Sequence, residues 1–234
     1  MESSPVCAIV GVGAGNGAAF ARAFSAAGHR CALVARSPGF SGDRAAQLPG
    51  ARAYQCDVTA PARIESTFAA IAADLGAVDV LVYNAGSGMF GTVSDIDTAA
   101  LEQAWQINTR GLLVAAQQVL PAMKRRGRGN IVVVGATASL RGGENFAAFA
   151  SAKAAQRSLA QSMARHLGPQ GVHVSLLIVD GVIDIPRTRK MFPERPDELF
   201  LNPDDIAATA LFLTRQPRNA WTFEVDLRPS AENW

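Results

Sequence analysis

A doubly wound α/β domain on a parallel sheet is predicted by three observations. Short apolar runs alternate with Ala-rich amphipathic stretches along the chain. Two of those runs, Ile131–Val134 and Val174–Val179, are apolar on both faces, as strands sandwiched between helical layers must be. The first run ends in a glycine-rich turn that opens directly into a helical stretch.

The elements follow in order. Apolar runs at Val6–Gly11, Arg30–Ala35, Ala51–Cys56, Val78–Tyr83, Asn130–Gly135, Val172–Val179 and Trp221–Leu227 read as strands. Helical stretches lie at about Gly15–Ala27, Pro61–Leu75, Thr98–Arg126, Ala147–Leu167 and Pro203–Thr214. This alternation implies right-handed crossovers between parallel strands. Asn202-Pro203-Asp204-Asp205 is a helix start: a capping Asn, Pro in the first turn, then two acids at the positive end of the dipole. The last run, Trp221–Leu227, alternates apolar and polar like an edge or terminal strand. The segment Ile185–Leu201 is rich in proline and basic residues and has no clear period. It reads either as a solvated loop or as a substrate lid, at about residues 185–202 of a single domain spanning 1–234.

At 234 residues the chain suits one domain, and 49% hydrophobic content supports a large core. A net charge of +2 is too balanced to argue for a nucleic-acid or acidic-membrane partner. Cys7, Cys31 and Cys56 show no metal-ligand spacing. They read as buried free thiols in a reducing, cytoplasmic setting, and no metal is expected. The stretch Met1–Gly11 does not read as a signal peptide. No apolar run approaches the ~20 residues of a membrane span.

The glycine-rich turn carries Gly11, Gly13, Gly15, Asn16 and Gly17. Such a turn lets backbone approach a phosphate, and the helix after it aims free N–H groups and its positive dipole end at a pyrophosphate. The second strand ends at Ala35-Arg36. A carboxylate there would bind a ribose 2′-hydroxyl. Arg36 instead offers forked cationic donors to a 2′-phosphate, which favours NADP(H) over NAD(H); its other reading is a solvated strand end.

The spacing of Gly11, Gly15 and Gly17 resembles the classical short-chain dehydrogenase/reductase family. So do Cys56-Asp57-Val58, Asn84-Ala85-Gly86, Asn108 within a long helix and Ser151-Ala152-Lys153, in that order. The resemblance covers residues 5 to 228. It implies a Rossmann-type seven-stranded parallel sheet, a nicotinamide cofactor, a small-molecule substrate and a homodimer or homotetramer built through the helices around Asn108 and Lys153. Carried over, Asp57 and Val58 contact the adenine. Asn84, Ala85 and Gly86 line the cofactor, Lys153 holds the nicotinamide ribose, and Asn108 holds a water and a helix kink in a proton relay. Gly181 and Ile183 lie beside the carboxamide.

The pattern breaks at the centre. The family's catalytic tyrosine stands four residues before its lysine, where this chain has Phe149; its catalytic serine stands thirteen residues earlier, where this chain has Ala136. Neither side chain has an exchangeable proton, and general acid–base catalysis contributes ~10²–10⁴ in rate. Thr137, Ser139 and Ser151 are near in sequence but face elsewhere. Asp180 stands where the family usually has a proline, and Ile185 where it often has a threonine that touches the cofactor. Asp180 reads either as an acid or base beside the nicotinamide or as a cap for its own turn. His29, His166 and His173 read as structural. Glu144 and Asn145 rim the pocket or lie in a solvated loop, Asp226 and Arg228 pair on one face, and Trp234 packs on a subunit neighbour. With Asn108, Lys153 and Asp180 as the remaining polar candidates, three functions stay open. They are an oxidoreductase with an altered centre, a non-redox lyase or isomerase, and a non-catalytic cofactor-binding sensor or partner subunit.

Overall fold

The first apolar run becomes β1 (Val6–Val10), and all five of its residues are buried. The chain, a computed structural model describing residues 4–232, then alternates as its pattern requires. Helix α1 (Asn16–Ala26) leads to β2 (Arg30–Ala35), α2 (Pro38–Ala46) to β3 (Arg52–Gln55), and α3 (Pro61–Leu75) to β4 (Val78–Tyr83). Helix α4 (Thr98–Trp105), a π-turn (Gln106–Arg110) and α5 (Gly111–Arg126) lead to β5 (Gly129–Ala136). Helix α6 (Ala147–Leu167) leads to β6 (Val172–Val179). After β7 (Val182–Ile183), α7 (Pro186–Met191) and β8 (Phe200–Leu201), helix α8 (Pro203–Thr214) returns the chain to β9 (Glu224–Leu227).

Seven strands pair in parallel in the order β3-β2-β1-β4-β5-β6-β9. The order reverses between β1 and β4, which opens a crevice at their carboxyl ends. On one face Phe20 and Phe24 of α1 and Ile206, Ala210 and Leu213 of α8 bury apolar surface. On the other, Phe68 and Ile71 of α3, Leu112 and Met123 of α5, and Met163 and Leu167 of α6 do so. Both faces of the sheet are covered, which explains why β5 and β6 read as unbroken apolar runs. Cys7, Cys31 and Cys56 are free and buried. Among the described residues no helix is long and apolar enough to cross a membrane.

Four departures from the sequence reading have physical causes. Helix α2 went unpredicted because Gly39 and Gly42 break its pattern and it buries only Ser41. The stretch read as one helix over Thr98–Arg126 is interrupted at the kink expected for Asn108, and the interruption takes the form of a π-turn. Strand β9 starts at Glu224 because Trp221 leaves the ladder to stack on His173, ring centroids 4.7 Å apart. The segment expected as an aperiodic loop or lid holds α7 and strand β8, which pairs in parallel with β7 just before the segment. Asn202 caps α8 as expected, its side chain accepting from Asp204 N. Trp234 lies outside the described residues.

The π-turn frees backbone carbonyls that buried side chains must then satisfy. Tyr83 Oη donates to Ile107 O at 2.6 Å, and Gln156 Nε2 donates to Asn108 O at 2.9 Å. A Cβ on Gly111 would collide with Tyr83 Oη, so the turn and the phenol fit only around a glycine. Tyr83→Phe leaves the Ile107 carbonyl buried without its donor. It is expected to lower unfolding free energy by about 1–3 kcal/mol in urea titrations, with the transition still cooperative.

Candidate active site

The crevice is set by close approach of β1 and β4. Asn84 N donates to Val10 O at 2.8 Å, and Asn84 Nδ2 to Gly11 O at 2.7 Å. Gly11 has φ +96°, and a Cβ on it would stand 2.5 Å from Ala85 N, so only glycine fits. Around this contact lie Gly13 and Ala14, both exposed, then Gly15, the N-cap of α1, which has no side-chain cap. A Cβ on Gly13 would meet nothing within 4 Å. The first N–H groups of α1 have no upstream partner within the helix and face this open turn. Asn16 Oδ1 is buried without a hydrogen-bond partner. These features fit a phosphate-bearing ligand: free donors, a dipole end and room for close approach.

At the second strand's end Arg36 is exposed, and its carbonyl accepts from Gln55 Nε2 at 3.1 Å. Asp57 accepts from Thr59 N at 2.9 Å and Thr59 Oγ1 at 2.8 Å. Those two bonds, aided by the Arg36 charge, hold its carboxyl below the usual range. Val58 is buried in the core beside Tyr83. Ile183 lies in β7 and Gly181 just before it. The Ile185 side chain reaches the glycine-rich turn, its Cγ2 2.7 Å from where a Cβ on Gly15 would be.

The polar centre is buried. Lys153 Nζ donates to Val134 O at 2.9 Å and to Gln156 Oε1 at 3.0 Å. Burial brings its pKa down from the ordinary lysine value to about 7. Asn108 Nδ2 donates to Ala104 O at 2.8 Å and Ser87 Oγ at 3.0 Å, while its Oδ1 is buried without a partner. A Cβ on Gly86 would stand 3.4 Å from Asn108 Oδ1 and 3.7 Å from Lys153 Nζ. The bare Cα of Gly86 thus marks the point where both residues converge on the crevice.

Phe149, one turn before Lys153, joins an aromatic cluster instead of a polar one. Its ring centroid lies 5.7 Å from Phe90 and 6.2 Å from Phe146, and Phe90 lies 5.2 Å from Phe146. Phe90 is 50% exposed, so the cluster opens to solvent as an apolar mouth. Ala136 ends β5. The neighbouring hydroxyls are engaged: Ser139 Oγ donates to Ala136 O at 2.7 Å, and Ser151 Oγ to Ala147 O at 2.8 Å. Thr137 Oγ1 donates to Asp180 Oδ1. Asp180 also pairs with Arg228 Nη1 at 3.5 Å, and Arg228 with Asp226 at 3.2 Å. The Asp180 carboxylate therefore ties the ends of β5, β6 and the segment after β9 together. The N–H groups of its own turn are not its partners, so the capping role weighed for it is not the one seen here.

Of the residues the resemblance grouped, the structure brings Gly86, Asn108 and Lys153 together, while Asn84 bonds across the β1–β4 junction to Gly11 and Val10. Sequence reasoning missed Gln156, Tyr83, Phe90 and the Thr137–Asp180–Arg228 cluster. One signal for Gln156 was present: it falls on the buried stripe of α6 with Ala152 and Ala160, a polar residue on an apolar face.

The short chain dehydrogenase family pattern matches residues 5–195. This chain belongs to the short-chain dehydrogenase family. It is 32% identical to 2-(S)-hydroxypropyl-CoM dehydrogenase 3 of Xanthobacter autotrophicus over 225 residues, 89% of this chain and 88% of that one. It is 33% identical to the inactive 2-(S)-hydroxypropyl-CoM dehydrogenase 2 of the same organism, over 82% of this chain and 90% of that one. A metagenomic short-chain oxidoreductase solved in complex with NADP superposes with a TM-score of 0.84 at 26% identity, covering 98% of this chain and 99% of that one.

Asp180→Asn removes the charge that Arg228 faces and weakens the acceptor for Thr137. It is expected to cost about 1–3 kcal/mol of unfolding free energy in urea titrations, because hydrogen bonds to charged groups are the stronger ones.

Proposed function

We propose that this chain is an NADP(H)-binding oxidoreductase acting on a small, apolar molecule at a centre without the usual hydroxyl pair. One observation carries the reading. An open glycine turn and a buried lysine line one crevice, while Phe149 beside that lysine sits among aromatic rings. Bound nicotinamide supplies a hydride at its C4 carbon.

The chain's own residues then divide the work. Backbone N–H groups from Gly13 to Gly17 take the pyrophosphate, and Arg36 takes the 2′-phosphate. Asp57 and Val58 flank the adenine, with Asn84, Ala85 and Gly86 along the cofactor. Lys153 holds the nicotinamide ribose, Asn108 borders it, and Gly181 and Ile183 flank the carboxamide. Phe90, Phe146 and Phe149 exclude water and offer apolar surface to the substrate. Nothing at positions 136 or 149 can protonate a nascent alkoxide. The substrate class favoured is therefore an activated C=C or C=N bond, whose reduction leans less on an adjacent acid. Asp180 is retained as an alternative acid only if Thr137 and Arg228 release it. Exposed Leu101, Trp105 and Leu113 on α4 and α5 support a homodimer or homotetramer through these helices, in a cytoplasmic protein.

A second reading, a non-catalytic cofactor-binding sensor or partner subunit, is favoured by one comparison, a relative of similar identity named as an inactive dehydrogenase, while a non-redox lyase or isomerase is the remaining alternative.

Titration of NADPH fluorescence tests the cofactor. Wild type is expected to bind NADPH more tightly than NADH, and Arg36→Asp to weaken NADPH by about tenfold or more while sparing NADH, as loss of a charged hydrogen bond implies. Equal losses for both cofactors would contradict the assignment of Arg36. NADPH oxidation against a carbonyl panel tests the centre. The Ala136→Ser/Phe149→Tyr double variant is expected to gain roughly 10²-fold or more over wild type, the scale of one general acid. Wild-type turnover already equal to the double variant's would sink the proposal.

A further inference from the structure

Gln156 is fully buried on α6, three residues after Lys153, yet it carries an amide. Both ends of that amide are used. Nε2 donates to Asn108 O at 2.9 Å, and Oε1 accepts from Lys153 Nζ at 3.0 Å. The orientation is forced chemically, because the Asn108 carbonyl can only accept and so must face the NH₂ group. We infer that Gln156 is a positioning residue. Its amide ties Lys153 Nζ to the π-turn at Asn108 and turns the remaining N–H of the lysine toward Gly86, for a sugar hydroxyl of the cofactor. This inference rests on the NADP(H) reading above.

Three observations support it. An ammonium has three donors; Val134 O and Gln156 Oε1 take two, which leaves one direction open. The point that Lys153 Nζ and Asn108 Oδ1 both approach is the bare Cα of Gly86, at the crevice. The network also ends on groups that do not titrate near neutrality: a primary amide and two main-chain carbonyls. The groups facing Nζ are the Val134 carbonyl of β5, the Gln156 amide of α6, the Asn108 amide of the π-turn and the Gly86 backbone after β4, none of them charged. Below its midpoint Lys153 thus serves as a binding cation, and none of these facing groups takes or returns its proton near neutrality.

The same geometry fixes the sign of the test. An acceptor at Oε1 favours the ammonium, so its removal pushes the lysine further down, and a carboxylate there pushes it up. The chain has three lysines, so ¹³Cε-lysine NMR of the cofactor-free protein resolves Lys153 readily. Wild type is expected to titrate near 7. Gln156→Met, close in volume, is expected to move the midpoint down by about one pH unit, the scale of one hydrogen bond to a charge. Gln156→Glu is expected to move it up. The pH at which NADPH affinity falls should shift in the same direction in each variant; the ligand's own titration is common to all three proteins and cancels. A midpoint unmoved in both variants, or an NADPH profile that does not follow it, overturns the inference. A wild type that binds no NADPH overturns the reading beneath it, a separable failure because the lysine spectrum needs no cofactor.

Discussion

The structure depends on one close approach, where the strand order of the sheet reverses. Gly11 at the end of β1 and Asn84 after β4 meet through the amide of Asn84, at a separation no side chain on residue 11 would allow. That contact holds the two central strands at one height. It also sets the glycine turn and the helix start of α1 on one side of the crevice, and Gly86 on the other. The residues proposed to hold the pyrophosphate and the nicotinamide ribose flank this junction.

From there the centre is organised by burial and not by charge. A lysine without a carboxylate partner is an expensive group inside a protein. Here its cost is limited by two carbonyl acceptors and by a pKa near neutrality, where the neutral amine is readily reached. The π-turn at Asn108 belongs to the same solution. Its distortion releases carbonyls that Tyr83 and Gln156 capture, so helix, sheet and lysine are locked together by side chains fully out of water. The opposite wall is hydrocarbon. Phe149 lies where a hydroxyl would complete the polar set, and it packs edge-on with Phe90. The proposed function turns on this division between a polar lysine centre and a hydrocarbon wall.

Much of this was legible in the residues. The seven core strands and the glycine turn follow from period and punctuation, because each is a local pattern with one physical use; the convergence of Asn108 and Lys153 near Gly86 was implied by the resemblance to the family, not by any local pattern. Helix α2 was hidden by glycines and by its lack of a buried face. The kink at Asn108 was implied by the resemblance, but its π form was hidden because it depends on partners far along the chain: Tyr83 lies 24 residues from Ile107, and Gln156 lies 48 from Asn108. The Thr137–Asp180–Arg228 cluster was out of reach for the same reason. Its members belong to three different segments that only the sheet brings side by side.

The most direct measurement is a crystal structure with NADP⁺ bound. The account predicts Lys153 Nζ on the nicotinamide ribose, the Phe149 ring facing the nicotinamide, and no side-chain hydroxyl within hydrogen-bond reach of a group placed over C4. A hydroxyl from Thr137, Ser139 or Ser151 swung over that carbon, released from the partner it holds here, would contradict it.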